Sequence, residues 1–494
     1  MKQLTEHIRY LKDHVNIPLL IFLVGIMNIK LPVKVASVVL YAAWLLYKRR
    51  SLQGFGNRIV VFYALMAALA IISVAVQGVP DFSRYSLGLG IAVGQWLLAG
   101  ATIGLIGCAV REMTRAQIVA SLKSFFLLNA AVSLIQLITI AAETGAMMPY
   151  WDISNEKYGI STGDYIYGIF FYHSILNAAV NALGVVYFIF KKSWKYALLC
   201  LAVTSMGTSN LMLLATVVTL VLVLITGTGY RKPAMVTLVS GFLFYVLLSP
   251  HNFQYLSNTT GKQVNSEVRD PEQGSGPNTG KQTYAVAPAD DCIEEQVRSD
   301  RSNGQGVFNT CYADSIIAQD QTTNPLAYYG LPGKVFSFYQ TIGFLGSDWQ
   351  NLMVGSGPGL FSSKLALKMT GLNIQGTYPQ RYVYIGEVYS QNHLYTMLYY
   401  LSQPLSEHSV LNFPNSIYNH IAGEYGLIGI LLVLVIYLGY FVTRYKSSAA
   451  APYLIVLMMA LGVADYWFEM ISLTLMFETM VLSDVLQKEE GSHA

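Results

Sequence analysis

The chain has 494 residues, 53% of them hydrophobic and 12% charged, about half the charge of soluble globular chains, which run near 25%. Its 31 Lys plus Arg against 28 Asp plus Glu leave a formal charge of +3, too small an excess for a nucleic-acid partner. Four cysteines in this length, with no C-x-x-C pair and no Cys/His cluster, exclude a disulfide scaffold and a zinc site. A polytopic membrane protein remains.

Twelve apolar runs follow in chain order: 17–29, 32–47, 59–76, 87–110, 125–142, 167–190, 196–206, 211–225, 234–248, 421–442, 453–463 and 468–482. The first, seventh and eleventh fall short of the roughly 20 residues that a straight helix needs to cross hydrocarbon. If the N-terminus is cytoplasmic, the inner connections receive Lys48, Arg49, Arg50, Lys191, Lys192, Lys195, Arg231, Lys232 and Arg444. The short outer ones then hold only Lys30, Lys34, Arg84 and Lys157. That asymmetry places both termini inside and the long segment between runs nine and ten outside. The expected fold is therefore all-α and polytopic, with about 12 transmembrane helices and one large outer loop domain. Membrane segments cover 1–248 and 419–483, the loop domain covers 249–418, and a cytoplasmic tail covers 484–494.

The outer segment divides by composition. Residues 258–324 are polar and rich in Gly, Asn, Gln and Asp, which predicts a loosely ordered insertion. It holds Cys292 and Cys311, and their place on an oxidising side suggests one disulfide, worth about 3 kcal/mol in the chain-entropy account. Residues 328–418 are expected to fold, since positions 328–400 carry 15 aromatic residues against 13% for the whole chain. Such density suits a groove for sugar rings, although each aromatic taken alone fits packing onto the membrane surface equally well.

Polar residues inside apolar runs are costly and point to helix contacts or function. Asn129, Ser133 and Gln136 form one stripe and His173, Asn177 and Asn181 another, each on one helix face and expected to meet as interhelical hydrogen bonds or at a cavity. Glu478 reads as the only acid deep in an apolar run, either a proton-relay group or the partner of a neighbouring helix. The outer face offers Arg84, Lys334, Arg381, His393, His408 and His420. Cations at a membrane boundary suit a lipid diphosphate headgroup, while singly they read as snorkelling side chains. The GSGPG segment 355–359 follows no βα unit, so it is a tight turn and not a dinucleotide fingerprint.

The turn VGSGPGLF (354–361) after Lys334, followed by NSIYNHIAGEYGLIG (415–429) running into an apolar span, resembles the O-antigen ligase and polymerase superfamily. The second patch reads as a polar pair, Asn415 and Ser416, then nine residues, then Gly426-x-x-Gly429. A third patch, TSMGTSNLMLLA (204–215), is similar to the family's Ser-Arg segment, with Asn210 in the Arg place. Departures stand at three positions: Asn210 and Lys334 where the ligases carry Arg, and Asn415 where they carry His. Asn can neither neutralise a diphosphate nor accept a hydroxyl proton, so the polymerase branch fits better than the ligase branch.

The resemblance implies a metal-independent glycosyltransferase without cofactor on the periplasmic face of a bacterial inner membrane. It would move a growing glycan from undecaprenyl diphosphate to an incoming lipid-linked repeat unit. Its partners would be that lipid-linked oligosaccharide, membrane lipid and a chain-length regulator protein. By resemblance and charge, Lys334, Arg381, Asn415, His420 and Glu387 are expected at the reacting centre. Arg84, Asn210, His173, Gly357, Tyr382 and His393 are expected at the substrate. Two alternatives stay open: the sister ligase, which transfers finished glycan to lipid A core or protein, and a secondary transporter or lipid flippase with a midplane site between broken helices.

Overall fold

The computed structural model describes residues 13–28, 30–49, 58–150, 162–171, 173–248, 331–371, 378–402, 410–444 and 448–491, and every regular element among them is helical. The polar insertion 258–324, with Cys292 and Cys311, lies outside the described residues, as does His408. The membrane part starts with α1 Ile17–Met27, α2 Leu31–Arg49, α3 Arg58–Gln77, α4 Phe82–Glu112 and α5 Arg115–Thr144, then α6 Ser174–Phe190, α7 Trp194–Met206, α8 Asn210–Thr226 and α9 Arg231–Leu248. The loop part contributes α10 Gly333–Ser347, α11 Trp349–Val354, α12 Lys364–Met369 and α13 Tyr395–Ser402. The chain then returns through α14 Ile417–Arg444, α15 Ala451–Leu461 and α16 Ser472–Gly491.

All twelve apolar runs are wholly or largely helical, but they are not equivalent. Helices α2, α3, α4, α5 and α14 are long and apolar enough to cross a membrane. A sixth follows if α8 and the helix after it, bent by 117° at a short break, count as one broken span. Helices α1, α6, α7 and α15 are shorter apolar helices. Residues 162–170 make 3-10 turns, so α6 begins only at Ser174. The last run is broken at Ile471, whose φ is +49°.

Local sequence explains the ends. Thr114 and Gln117 form a reciprocal capping box at the start of α5, and Gly145 at φ +68° closes it. Asn16 accepts from the Leu19 N–H and Pro18 enters the first turn of α1, where its missing N–H is harmless.

The two polar stripes meet in part, through Asn129, Ser133 and Asn177, whereas His173 caps the start of α6 and lies against Asp465. Asn129 Nδ2 donates to Asn177 Oδ1 at 2.8 Å and Asn177 Nδ2 to Ser133 Oγ at 3.2 Å, while Gln136 bonds both the N–H and the carbonyl of Gly168. They join α5 to α6, a contact of about 1 kcal/mol or less per bond in such bundles. Glu478 accepts from Tyr63 O–H at 2.6 Å, so it pairs with α3. Glu424 in α14 is a second fully buried acid within an apolar run, which the sequence reading passed over. At another point of the bundle, Lys191 is ion-paired with Asp484, which also accepts from Ser448 Oγ at 2.8 Å.

Candidate functional site

Two strained or broken backbone points frame the site, one in α14 and one ahead of α16. In α14 the break falls at Gly426, with φ +60° and ψ −159°. The glycine turn 355–359 lies against it: Ser356 N–H donates to the Gly423 carbonyl at 2.9 Å and Gly357 N–H to the Glu424 carbonyl at 3.1 Å. A Cβ at Gly426 would lie 2.6 Å from the Gly355 nitrogen, and one at Gly355 would lie 2.5 Å from Glu424 C and Tyr425 N. Only glycines allow this approach. The spacing that carried the family resemblance is thus a physical contact between its two glycine motifs.

Glu424 completes the clasp from below. Its carboxylate accepts from the Gly359 N–H at 2.8 Å and, more loosely, from the Phe361 and Ser362 N–H groups at 3.4 and 3.3 Å. His420, one turn earlier, brings Nε2 to 3.4 Å from Glu424 Oε2, and both side chains are buried. Among the described residues His420 Nδ1 has no hydrogen-bond partner. A small cavity opens beside it, lined by Gln95, Trp96, His420, Glu424 and Glu469 among others. Glu469 in turn accepts from the Lys364 N–H at 2.6 Å and the Leu365 N–H at 3.1 Å, which fixes the start of α12.

On the other side of Lys364 lies a cationic cluster drawn from connections far apart in the chain. His173 Nε2 is 3.6 Å from Asp465 Oδ2. Asp465 is within electrostatic reach of both Lys334 and Lys364, and Lys364 is within reach of Lys34 and His173. Burial pushes the Lys334 ammonium down to about 7 against the pull of Asp465. Asp465 itself is pushed up by burial, while Lys364 and Lys334 oppose that shift.

Two of these lysines are committed to backbone. Lys334 Nζ donates to the Asn415 and Ala464 carbonyls and lies over the Phe413 ring. Lys34 Nζ donates to the Met470 carbonyl and Ser472 Oγ, both at 2.6 Å, satisfying the carbonyl end left by the break at Ile471. Lys364 is half-buried, and among the described residues its ammonium has no hydrogen-bond or ion-pair partner.

Three of the four non-glycine residues with positive φ among the described residues, Phe171, Thr208 and Ile471, lie two residues or fewer from His173, Asn210 and the Met470–Ser472 clamp on Lys34. Such strain gathers where surrounding structure over-determines the backbone, commonly at functional sites.

The expected residues therefore separate into two groups. Lys334, Asn415, His420, Gly357 and His173 come together around this site. Asn210 starts α8 after a connection that crosses the N-terminus of α6, since a Cβ at Gly207 would lie 3.8 Å from the Ser174 carbonyl. Among the described residues its Oδ1 has no hydrogen-bond partner, nor does Asn415 Nδ2. His393 packs edge-on to Phe361 with Nδ1 3.3 Å from Ser337 Oγ, and burial pushes it down to about 3, so it is neutral.

The other four are placed elsewhere. Arg84 is exposed and paired with Asp81 at 3.3 Å. Arg381 is exposed on a 3-10 turn and lies over the half-buried Tyr382. Glu387 is exposed and accepts from Gln391.

Comparison of the chain with family models, curated proteins and solved structures finds no match.

Sequence reasoning missed Lys34, Lys364, Glu424, Asp465 and Glu469. The legible signal was the i, i+4 acid pair in ADYWFEM (464–470), one carboxylate in the gap between the last two apolar runs and one at the start of the last. Lys364 had none, because SSKLALKM reads as an ordinary amphipathic stretch. The assembled site offers a half-buried ammonium, Lys364, within electrostatic reach of Asp465, and a buried His420/Glu424 pair beside a small cavity.

Proposed function

We propose that this chain polymerises lipid-diphosphate-linked glycan repeat units at a membrane surface, and that the cationic cluster around Asp465 is where the diphosphate is held. One observation supports this reading above the others. Three lysines and a histidine from four separate parts of the chain come within electrostatic reach of one another or of Asp465, and one ammonium, Lys364, has no hydrogen-bond or ion-pair partner among the described residues. A leaving diphosphate needs such a charge, because negative charge builds on its bridging oxygen as the glycosidic bond breaks. Lys334 and Lys34 then act as positioning residues, holding 415 to 464 and closing the break at Ile471, while they add positive potential.

The charge asymmetry agrees with this arrangement. Lys34, His173, Asn210, Lys334 and Asp465 all belong to connections that the positive-inside rule assigns to one face. Lys191, Ser448 and Asp484 belong to the other. In this reading the face is periplasmic, the membrane is a bacterial inner membrane with about twelve crossings, and both termini are cytoplasmic. No metal or nucleotide is required. The polymerase is preferred to the ligase because Asn415 stands where the ligases carry His. Deletion of the gene is expected to leave single repeat units on surface acceptors. Loss of every glycan-modified acceptor, single units included, would favour the ligase.

The exposed arginines are expected to matter little. Arg84→Ala breaks a surface pair worth about 0–1 kcal/mol, and Arg381→Ala removes a solvated side chain stacked on Tyr382. Both variants should make normal chain lengths, measured by gel electrophoresis of extracted glycan. Loss of long chains at normal protein level in either would extend the site to the outer end of α4.

A further inference from the structure

We infer that His420 is the group that takes the proton from the attacking sugar hydroxyl, with Glu424 as its positioning residue; this rests on the glycosyl-transfer reading above. The geometry has three independent parts. First, Glu424 Oε2 lies 3.4 Å from His420 Nε2, and the carboxylate is itself fixed by backbone N–H groups of the glycine turn. A carboxylate at that nitrogen puts the imidazole proton on Nε2 and leaves the lone pair on Nδ1.

Second, Nδ1 is buried and has no partner among the described residues, although buried polar atoms are otherwise nearly always bonded. A neutral ring leaves there only an unused acceptor, whereas a charged ring would bury an unbonded donor. Third, His420 and Glu424 line the same small cavity, together with Gln95 and Trp96. Glu469, which also lines it, accepts from the backbone N–H of Lys364. The cavity thus shares Glu469 with the backbone of the lysine assigned to the diphosphate.

The acceptor hydroxyl gives its proton to His420 Nδ1 as its oxygen bonds the anomeric carbon of the donor glycan. The bond from that carbon to the diphosphate breaks, and the diphosphate leaves with the electron pair. The imidazolium, charge-balanced by Glu424, later releases the proton to water. Carboxylate-oriented imidazole is a general-base arrangement that recurs on unrelated scaffolds.

The test uses the purified full-length protein in liposomes. Its probe is the lipid-diphosphate-linked repeat unit extracted from a strain lacking the gene. His420→Gly and His420→Gln are compared with the unaltered protein at equal folded amounts, checked by thermal melting. Both variants should lose transfer about 100- to 10,000-fold, the range of a general base, and added imidazole should restore part of the rate in His420→Gly only. Near-normal rates in both variants overturn the assignment, as does a loss that imidazole leaves unchanged in a folded His420→Gly protein. If the unaltered protein forms no linkage from the same probe, the glycosyl-transfer reading fails instead.

Discussion

Replacing Lys364 by alanine should slow glycosyl transfer about 100- to 1000-fold, by analogy with removing one donor to a developing oxyanion, with the protein at normal level. Lys364 is half-buried and begins α12, whose first N–H groups are held by Glu469. The backbone at this position is therefore anchored independently of its side chain. Its ammonium stands within electrostatic reach of Lys34, His173 and Asp465 and has no bonded partner among the described residues. Removing it costs the fold little and the anion much. Lys364→Arg should retain most activity, because charge is kept, although fork and point charge do not superpose. Initial rates of linkage formation check this. An alanine variant with the normal rate would show that Lys334 or Lys34, despite their carbonyl bonds, meets the diphosphate.

Alanine at Gly426 or Gly355 should destabilise the protein by about 2–5 kcal/mol. The sum combines about 1–2 kcal/mol for a left-handed non-glycine residue with about 1–3 kcal/mol for overpacking. Gly426 has φ +60° and Gly355 φ +70°, and each new Cβ would meet the other motif's backbone at 2.6 Å or less. Neither obstacle is a flexible side-chain end, so the clasp must open. Opening it would leave the Glu424 carboxylate without its Gly359 N–H, and an uncompensated buried acceptor adds to the loss. Thermal melting in detergent and the protein level in membranes read the effect. A melting temperature unchanged in both variants would mean that the two glycine motifs do not touch.

The fold was legible wherever a pattern is local. The stripes Asn129–Ser133–Gln136 and His173–Asn177–Asn181 recur at helical spacing, and Asn129 and Ser133 do meet Asn177 across α5 and α6, while His173 stands at the N-cap of α6 and Gln136 bonds the Gly168 backbone. Helical character was readable in every apolar run, but span length was not. The breaks at Gly426 and Ile471 are set by tertiary partners, a glycine turn 70 residues away and the Lys34 ammonium, and neither leaves a mark in local hydropathy.

The site was legible only in part, for the same reason. Lys334, Asn415, Gly357 and His420 lie in motifs with recognisable spacing. Glu424 hides among apolar neighbours because its partners are main-chain N–H groups of residues 359–362, which any sequence would supply. Arg84 and Arg381 looked equivalent to the lysines as cations, since charge is visible in a sequence and exposure is not.

The central claim is best tested by incubating the purified protein with the radiolabelled lipid-diphosphate repeat unit and counting products. The account predicts a ladder of longer glycans still attached to lipid diphosphate, with one free lipid diphosphate released per new linkage and no requirement for added metal or nucleotide. Intact single-repeat substrate after prolonged incubation with folded protein, or transfer seen only when lipid A core is supplied as acceptor, would contradict it.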